Sequence, residues 1–276
     1  MSIKNLIKRA PVTLIGIPSL IGFTLYTHDA FMVFFVAAGL LILGEMFKLA
    51  RPNGTEPNLL AGFALYLVLV WDQLFNSGLL AVHLLIGGML LMLTWEMFRK
   101  RDHVLENVAV TFFSTAFTAL AMSYFIRLQQ LGYAGEGGHI GGYAVLTVFV
   151  GVWTCDTMAY FVGSAIGKHK IFPRVSPNKS WEGSLSGLIG SLIALVLIVK
   201  AGWLPGLSYL DALMLGLITG VAGQVGDFAE SLVKRDVGVK DSSNLLPGHG
   251  GAWDRLDSIL FAAPLSYFYL TMVVGI

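Results

Sequence analysis

Acidic, hydroxyl and basic side chains are regularly spaced at the end of one long apolar segment in the C-terminal third of the chain. If that segment continues as a helix, Asp227, Ser231 and Lys234 share one face, because they are spaced i, i+4 and i+7. A carboxylate at the centre of a bilayer costs about 2.5–3.5 kcal/mol on insertion scales, so such residues face a polar interior or a functional cavity. This stripe therefore predicts a site that offers a carboxylate, a hydroxyl and an ammonium group.

A second acidic face is predicted shortly afterwards, where Asp254 and Asp257 are spaced i and i+3. Carboxylates beside lysine and arginine suit a polyphosphate bound through magnesium, which takes one or two protein carboxylates and completes its shell with phosphates and water. The glycine-rich run 247–251 allows close backbone approach, and its N–H groups could cradle a phosphate. The alternative is a solvated charged loop closed by salt bridges, which the density of these residues within 226–257 disfavours.

An upstream segment, 156–183, also contains polar residues that an ordinary membrane connector does not need. Asp156 lies inside an apolar run, where an unpaired charge is expensive. Ala159 and Gly163, on the same face, are small enough to permit close helix packing. A turn rich in hydrogen-bond donors follows and would suit a phosphate or nucleotide; it contains Ser176, Lys179 and Ser180.

The composition places these residues in a membrane protein. Of the 276 residues, 55% are hydrophobic and 13% are charged, whereas soluble domains carry about 25% charged residues. A single soluble core could not bury so much apolar surface, and the bilayer is its natural solvent. The net charge of +1 does not suggest a nucleic-acid partner.

Nine apolar runs are each long enough to cross about 30 Å of hydrocarbon as a helix of roughly 20 residues. Their bounds are 10–27, 30–49, 58–75, 78–98, 104–126, 141–164, 184–202, 209–229 and 257–275. The first run follows a basic N-terminus, as in a signal peptide, but it lacks a small-x-small cleavage site and is interpreted as a retained span. We expect an all-α polytopic transmembrane helical bundle, with residues 1–276 forming a single integral-membrane domain.

Lysine and arginine positions predict the orientation of this bundle. With nine spans, 16 of the 18 basic residues fall on the N-terminal side of the membrane, and Arg127 and Lys200 fall on the other. The positive-inside rule then places the N-terminus in the cytoplasm and the C-terminus outside, in the periplasm. The basic loops after the sixth and eighth spans face the cytoplasm, where nucleotides are found.

The spacing of residues 231–257 resembles the signature of the phosphatidate cytidylyltransferases, also called CDP-diglyceride synthases. The matching pattern is Ser231-x-Val233-Lys234-Arg235-x4-Lys240-Asp241-x-Ser243-x2-Leu246-Pro247-x-His249-Gly250-Gly251-x2-Asp254-Arg255-Leu256-Asp257. Ala252 departs from the larger apolar residue usual in the family, and Ser180 stands where threonine is common. Residues of about 140–260 carry the resemblance, whereas the N-terminal 130 residues, including the spans within 10–126, agree only in hydropathy.

The resemblance implies a nucleotidyltransferase that joins CTP to phosphatidic acid, making CDP-diacylglycerol and releasing pyrophosphate. It also implies dependence on Mg²⁺, with K⁺ as a candidate second cation, and use of dCTP in place of CTP. Phosphatidic acid and other membrane lipids, but no nucleic acid, would be its partners. The expected location is the bacterial inner (plasma) membrane, with the active site facing the cytoplasm; a homodimer is compatible with the sequence, which does not fix the oligomeric state.

Each candidate residue then receives an expected role. Asp227 and Asp254 match the acidic positions that hold the family's metal centre, with Asp257 and Asp241 as weaker candidates. Phosphates of the nucleotide or lipid would be held by the basic residues Lys234, Arg235, Lys240 and Arg255. The site would be completed by Ser231, His249, Gly250 and Gly251, and capped from the upstream segment by Ser176, Lys179 and Ser180. Asp156 would pair with a basic residue, and phosphate binding is favoured for His249 over a role as general acid.

Three alternative functions remain open from the sequence. A related CTP-dependent enzyme could act on an isoprenoid lipid, as a CDP-archaeol synthase or a polyprenol kinase does. A transporter or channel could use Asp156 and Asp227 as ion ligands. A purely structural membrane protein is the least favoured alternative, because it would have no use for the polar residues at 234–257. A CDP-alcohol phosphotransferase would need its own aspartate pattern, which the sequence lacks.

Overall fold

The computed structural model of the chain describes residues 18–51, 54–132, 140–245 and 250–276, and most of these residues are helical. An isolated β-bridge pairs Lys170 with Ser180, and these ranges contain no extended strand. The predicted all-α class is confirmed. The helices are α1 (18–26), α2 (His28–Ala50), α3 (Leu59–Phe75), α4 (Ala81–Arg99), α5 (Val104–Gln129), α6 (Ile140–Ile166), α7 (Trp181–Lys200), α8 (Tyr209–Asp236) and α9 (Trp253–Tyr269), which continues as a π-helical segment, Leu270–Val274.

Each of the nine predicted apolar segments corresponds to a helix in the described part of the chain. Seven of these helices are long and apolar enough to cross a membrane, namely α2, α4, α5, α6, α7, α8 and α9 with its π-helical extension. The α3 helix has 17 residues and is at the short end of the range for a span. The first predicted span is described only from residue 18, and residues 10–17 of it lie outside the described residues. The chain is therefore a multi-pass membrane protein.

Helices α6 to α9 pack against one another through positions where a side chain would not fit. A Cβ atom on Gly183 of α7 would lie 2.7 Å from the carbonyl oxygen of Ala159 and 3.0 Å from the Cα atom of Gly163, both on α6. A Cβ atom on Gly226 of α8 would lie 2.5 Å from the carbonyl oxygen of Asp257 on α9. Small residues thus bring the backbones of these helices close together, as predicted for Ala159 and Gly163.

Side chains just before α7 and α8 fix where these helices begin. Ser180 accepts a hydrogen bond from the backbone N–H of Gly183 at the start of α7. At the start of α8, Ser208 and Asp211 form a reciprocal capping box. Asp211 is therefore a structural residue at the opposite end of α8 from the candidate site.

Helix α2 joins the N-terminal helices to the C-terminal four. Its Phe31 and Phe35 pack against Phe125 of α5, with ring centroids 5.6 and 4.7 Å from that ring, and all three side chains are buried. Helix α5 packs on α9, and α2 also contacts α9 directly. The start of α9, which carries Asp254 and Asp257, is therefore supported from the N-terminal half of the chain.

Candidate active site

Three carboxylates from α8 and α9 converge at one place. Asp227 and Glu230 lie one turn apart on α8, and Asp257 lies on α9 next to the close approach at Gly226. One oxygen from each of the three carboxylates lies within 4.8 Å of the other two. We call this set the acidic group.

The acidic group has the properties that a divalent cation requires. Glu230 is 2% exposed, and its Oε1 atom is buried without a hydrogen-bond partner among the described residues. A buried carboxylate oxygen without a partner is costly, and a cation would satisfy it. Carboxylate oxygens are also the ligands that Mg²⁺ prefers. The residues present therefore fit a magnesium ion.

Lys234 links the acidic group to the loop before α9. Its ammonium group lies 2.5 Å from Glu230 Oε2 and 2.6 Å from Asp254 Oδ1. The other oxygen of Asp254 accepts hydrogen bonds from the backbone N–H and hydroxyl of Ser242 and from the N–H of Gly251. Asp254 thus lies beside the acidic group and holds the loop, while Asp227 and Asp257 belong to the group itself.

The second segment predicted to cap the site reaches it through Lys179. The Lys179 ammonium group forms an ion pair with Asp227 and lies 4.4 Å from the centre of the Phe228 ring. Asp156 lies near enough to Lys179 for their opposite charges to attract. It also lies near enough to Asp227 and Asp257 for the like charges to repel. The structure therefore brings together polar residues from α6, α8, α9 and the α6–α7 connection.

Other predicted site residues have local partners in the structure. Ser180 is buried and caps α7, and Ser176 belongs to the turn that leads to Lys179. The Ser231 hydroxyl lies 3.5 Å from Asp227 Oδ1. Arg235 donates to the carbonyl oxygen of Val239, and Lys240 and Asp241 are exposed beyond the end of α8.

The predicted phosphate-binding run 247–251 is only partly described. Gly250 has a φ angle of +82°, which favours glycine, and the N–H of Gly251 is used by Asp254. Arg255 lies in the first turn of α9. His249 lies outside the described residues.

Comparison with known proteins identifies the family to which this arrangement belongs. The sequence matches the cytidylyltransferase family over residues 7–273, almost its whole length. The chain belongs to the cytidylyltransferase family. It is therefore a nucleotidyltransferase, and the predicted resemblance at 231–257 is confirmed at the level of the family.

Relatives of this cytidylyltransferase cover most of its length. It is 32% identical to the phosphatidate cytidylyltransferase of Bacillus subtilis over 88% of this chain and 89% of that protein. It is 33% identical to the phosphatidate cytidylyltransferase of Brucella abortus, over 90% and 84% of the two chains. A third relative, the uncharacterized protein YnbB of Escherichia coli, is 35% identical over 76% of this chain and 68% of its own.

Two carboxylates of this cytidylyltransferase take part in the site although neither was assigned a role from the sequence. Glu230 is a member of the acidic group. Glu45 of α2 accepts a hydrogen bond from Ser242, which also binds Asp254. A signal was present for both, because each is an acidic residue within or at the end of an apolar segment. Sequence spacing alone did not show which acidic residues of different helices meet.

Proposed function

We propose that this enzyme transfers the cytidylyl group of CTP to the phosphate of phosphatidic acid, forming CDP-diacylglycerol and pyrophosphate. The observation that carries the proposal is the convergence of Asp227, Glu230 and Asp257 with the ammonium groups of Lys179 and Lys234. Family membership supplies the nucleotide, and the names of the Bacillus and Brucella relatives support phosphatidate as the acceptor.

In the proposed reaction, an oxygen of the lipid phosphate attacks the α-phosphorus of CTP in line. A new P–O bond forms there, and the bond from the α-phosphorus to the oxygen bridging to the β-phosphate breaks, so that pyrophosphate leaves with the electron pair. A phosphate monoester is already anionic near neutral pH, since its second pKa is about 6. The enzyme therefore needs no protein nucleophile and no strong base, and catalysis rests on positioning and charge neutralisation.

The two lysines are suited to different tasks because their exposure differs. The side chain of Lys179 is 33% exposed, whereas that of Lys234 is 9% exposed. Lys179 can reach a phosphate by exchanging its contact with Asp227, so we assign it to the triphosphate. Lys234 is enclosed between Glu230 and Asp254, so we assign it to holding those two carboxylates in place.

Asp227, Glu230 and Asp257 would hold magnesium, and Asp254 would position the loop beside it. Magnesium, when bound, would neutralise charge on the phosphate oxygens. The family resemblance adds a second cation, with K⁺ as the candidate, and assays with and without K⁺ test that addition. From the basic residues, we propose that this end of the bundle faces the cytoplasm of the bacterial inner membrane, with the C-terminus on the other side.

The decisive experiment measures CTP-dependent formation of CDP-diacylglycerol from phosphatidic acid by the purified enzyme in detergent. We expect Asp227→Asn to lower turnover by about 10²–10³-fold, the cost typical of losing one electrostatic contribution in an active site. Asp211→Asn is the matched control, because it changes the same residue type in the capping box at the far end of the same helix. Near wild-type turnover in Asp227→Asn would defeat the site assignment.

The acceptor and the nucleotide are tested in the same assay. We expect CTP and dCTP to support the reaction, and chelation of magnesium to stop it reversibly. An isoprenoid phosphate is offered in parallel with phosphatidic acid. Product from the isoprenoid lipid alone would replace the proposed substrate with that of the alternative enzyme class.

A further inference from the structure

Glu45 is a buried carboxylate in the N-terminal half of the chain, and the proposed reaction does not use it directly. It lies on α2 and is 4% exposed. Its Oε1 atom accepts hydrogen bonds from the Ser243 hydroxyl at 2.6 Å and the Ala252 N–H at 2.9 Å. Its Oε2 atom accepts from the Ser242 hydroxyl at 2.8 Å and the Trp253 N–H at 2.9 Å.

All four of these donors lie within residues 231–257, the segment that resembles the family signature, about 200 residues away in sequence. The two backbone N–H groups lie at the start of α9, whose own N-cap residue, Ala252, provides no side-chain acceptor. The first N–H groups of a helix need acceptors, and a negative charge is favoured at that end. Glu45 therefore caps α9 from a different helix.

The same contacts connect Glu45 to Asp254. The Ser242 hydroxyl lies 2.8 Å from Glu45 Oε2 and 2.9 Å from Asp254 Oδ2, so it can donate its proton to either carboxylate. Gly251, whose N–H binds Asp254, lies directly against Glu45. A Cβ atom at Gly251 would lie 2.1 Å from the Ser242 hydroxyl oxygen and 2.5 and 2.6 Å from the two Glu45 oxygens, so a side chain there would displace the contact between Ser242 and Glu45.

We infer that Glu45 is a positioning residue of the active site, holding Ser242, Ser243 and the first turn of α9 so that Asp254 and Asp257 meet the residues of α8. The N-terminal helices would then contribute indirectly to catalysis through one buried carboxylate. Glu45 contacts neither substrate in this account and acts through the loop and helix that it binds. The catalytic part of this inference rests on the proposed function, whereas the structural part does not.

Glu45→Gln is the informative variant because it keeps the size of the side chain. Serine hydroxyls can turn to accept from the new amide group, but the N–H groups of Ala252 and Trp253 cannot. At least one of these N–H groups therefore loses its acceptor. Glu96→Gln is the matched control, since Glu96 is also 4% exposed and lies in the N-terminal half, but it pairs with Arg99.

The first readout is trypsin cleavage after Lys240, which is exposed and close in sequence to Ser242, followed by mass spectrometry without substrates. We expect cleavage at this bond to be about tenfold faster in Glu45→Gln than in wild type, because one lost hydrogen bond to a charged group is worth about a factor of ten. Cleavage in Glu96→Gln should match wild type. Equal rates at Lys240 in Glu45→Gln and wild type would overturn the inference.

The second readout is the kinetics of the same variants. We expect Glu45→Gln to lower kcat by about 10²-fold, the effect of a small displacement of reacting groups, and to raise the Mg²⁺ concentration needed for half-maximal rate. A loss of folded enzyme alone would lower kcat without moving the Mg²⁺ dependence, and that result would contradict a positioning role. Glu45→Ala, which removes all four acceptor contacts, should show larger effects where it folds.

The two proposals fail in different ways. If wild type makes no CDP-diacylglycerol, the proposed function is lost, while the cleavage at Lys240 still decides whether Glu45 holds the loop. If wild type is active and Glu45→Gln matches it in cleavage and Mg²⁺ dependence, the role of Glu45 is lost and the proposed function stands.

Discussion

Replacing Lys234 by methionine removes the ammonium group that holds Glu230 and Asp254 together. The two carboxylates have side-chain exposures of 2% and 6%, so neither can recover its hydration from water. Breaking a buried ion pair by removing one partner costs about 3–5 kcal/mol, because an uncompensated charge remains. Lys234→Met leaves Glu230 without its cation and leaves Asp254 with only the three donors to its Oδ2 atom, so we expect a loss of free energy of unfolding in this range.

This loss is large enough to measure as a change in melting temperature. For chains of 150–250 residues, 1 kcal/mol corresponds to about 2–4 °C, so the expected decrease in Tm is about 6–20 °C. The measurement is intrinsic tryptophan fluorescence on heating in detergent, with EDTA present. Lys48→Met is the control, because Lys48 is exposed on α2 and its replacement should cost less than about 0.5 kcal/mol.

Magnesium should partly reverse the effect, and by more than in wild type. Without Lys234, the acidic group carries more uncompensated negative charge, so a divalent cation binds the folded state more strongly and stabilises it more. Adding Glu230→Gln to Lys234→Met should also raise the melting temperature, since it removes the charge of a carboxylate that has lost its ammonium partner. A Tm within about 2 °C of wild type in EDTA, or equal shifts with Mg²⁺, would refute this account of the site.

Two further predictions concern the helices that carry the upstream part of the site. Ser180→Ala removes the N-cap of α7 and should lower the free energy of unfolding by about 1 kcal/mol. Ser180→Thr keeps the acceptor and should melt near the wild-type temperature. An unchanged melting temperature in Ser180→Ala would argue against the cap. Gly187→Val should sharply lower the yield of monodisperse protein in size-exclusion chromatography, because a Cβ atom there would lie 2.7 Å from the carbonyl oxygen of Cys155 on α6. Gly87→Val on α4 is its control, since nothing lies within 4 Å of a Cβ atom at that position, and equal yields would contradict the close packing of α6 and α7.

Hydropathy predicted the helices well but placed some of their ends too early or too late. The eighth segment was predicted as 209–229, whereas α8 extends over Tyr209–Asp236. Hydropathy marks where a chain leaves the hydrocarbon, but backbone hydrogen bonds continue the helix through the charged turns that follow. The shared face of Asp227, Ser231 and Lys234 depended on that continuation, which the structure confirms.

The start of α9 shows a similar difference with more chemical consequence. The ninth segment was predicted from residue 257, whereas α9 begins at Trp253. Asp254 consequently lies in the first turn, where its carboxylate accepts the N–H of Gly251 and the loop donors of Ser242. The spacing of Asp254 and Asp257 predicted one acidic face. It did not indicate which of the two carboxylates would accept hydrogen bonds from the loop.

Acidic residues inside apolar segments are a further signal in the sequence for functional or structural sites. The structure shows that such residues differ in their partners. Three of them, Glu45, Asp72 and Glu96, are buried in the N-terminal half. Asp72 binds Asn76 and the backbone of Leu80, and Glu96 pairs with Arg99, so both have partners close to them in sequence. Glu45 has its four donors about 200 residues away, and a rule based on hydropathy treats all three alike.

The distinction between these three carboxylates is physical, because it depends on what each one would leave unsatisfied. Losing a carboxylate whose donors lie within eight residues affects only its own helix and the start of the next one, as for Asp72 on α3 and Leu80 before α4. Removing Glu45 instead deprives the first turn of α9 of acceptors that this turn cannot supply from its own sequence. An intramembrane acid that caps another helix in this way is placed to transmit the packing of the N-terminal bundle to Asp254 and Asp257. The N-terminal segment, which was expected to agree with the family only in hydropathy, in fact lies within the family match over residues 7–273. Through Glu45 it is placed to affect the geometry of the site.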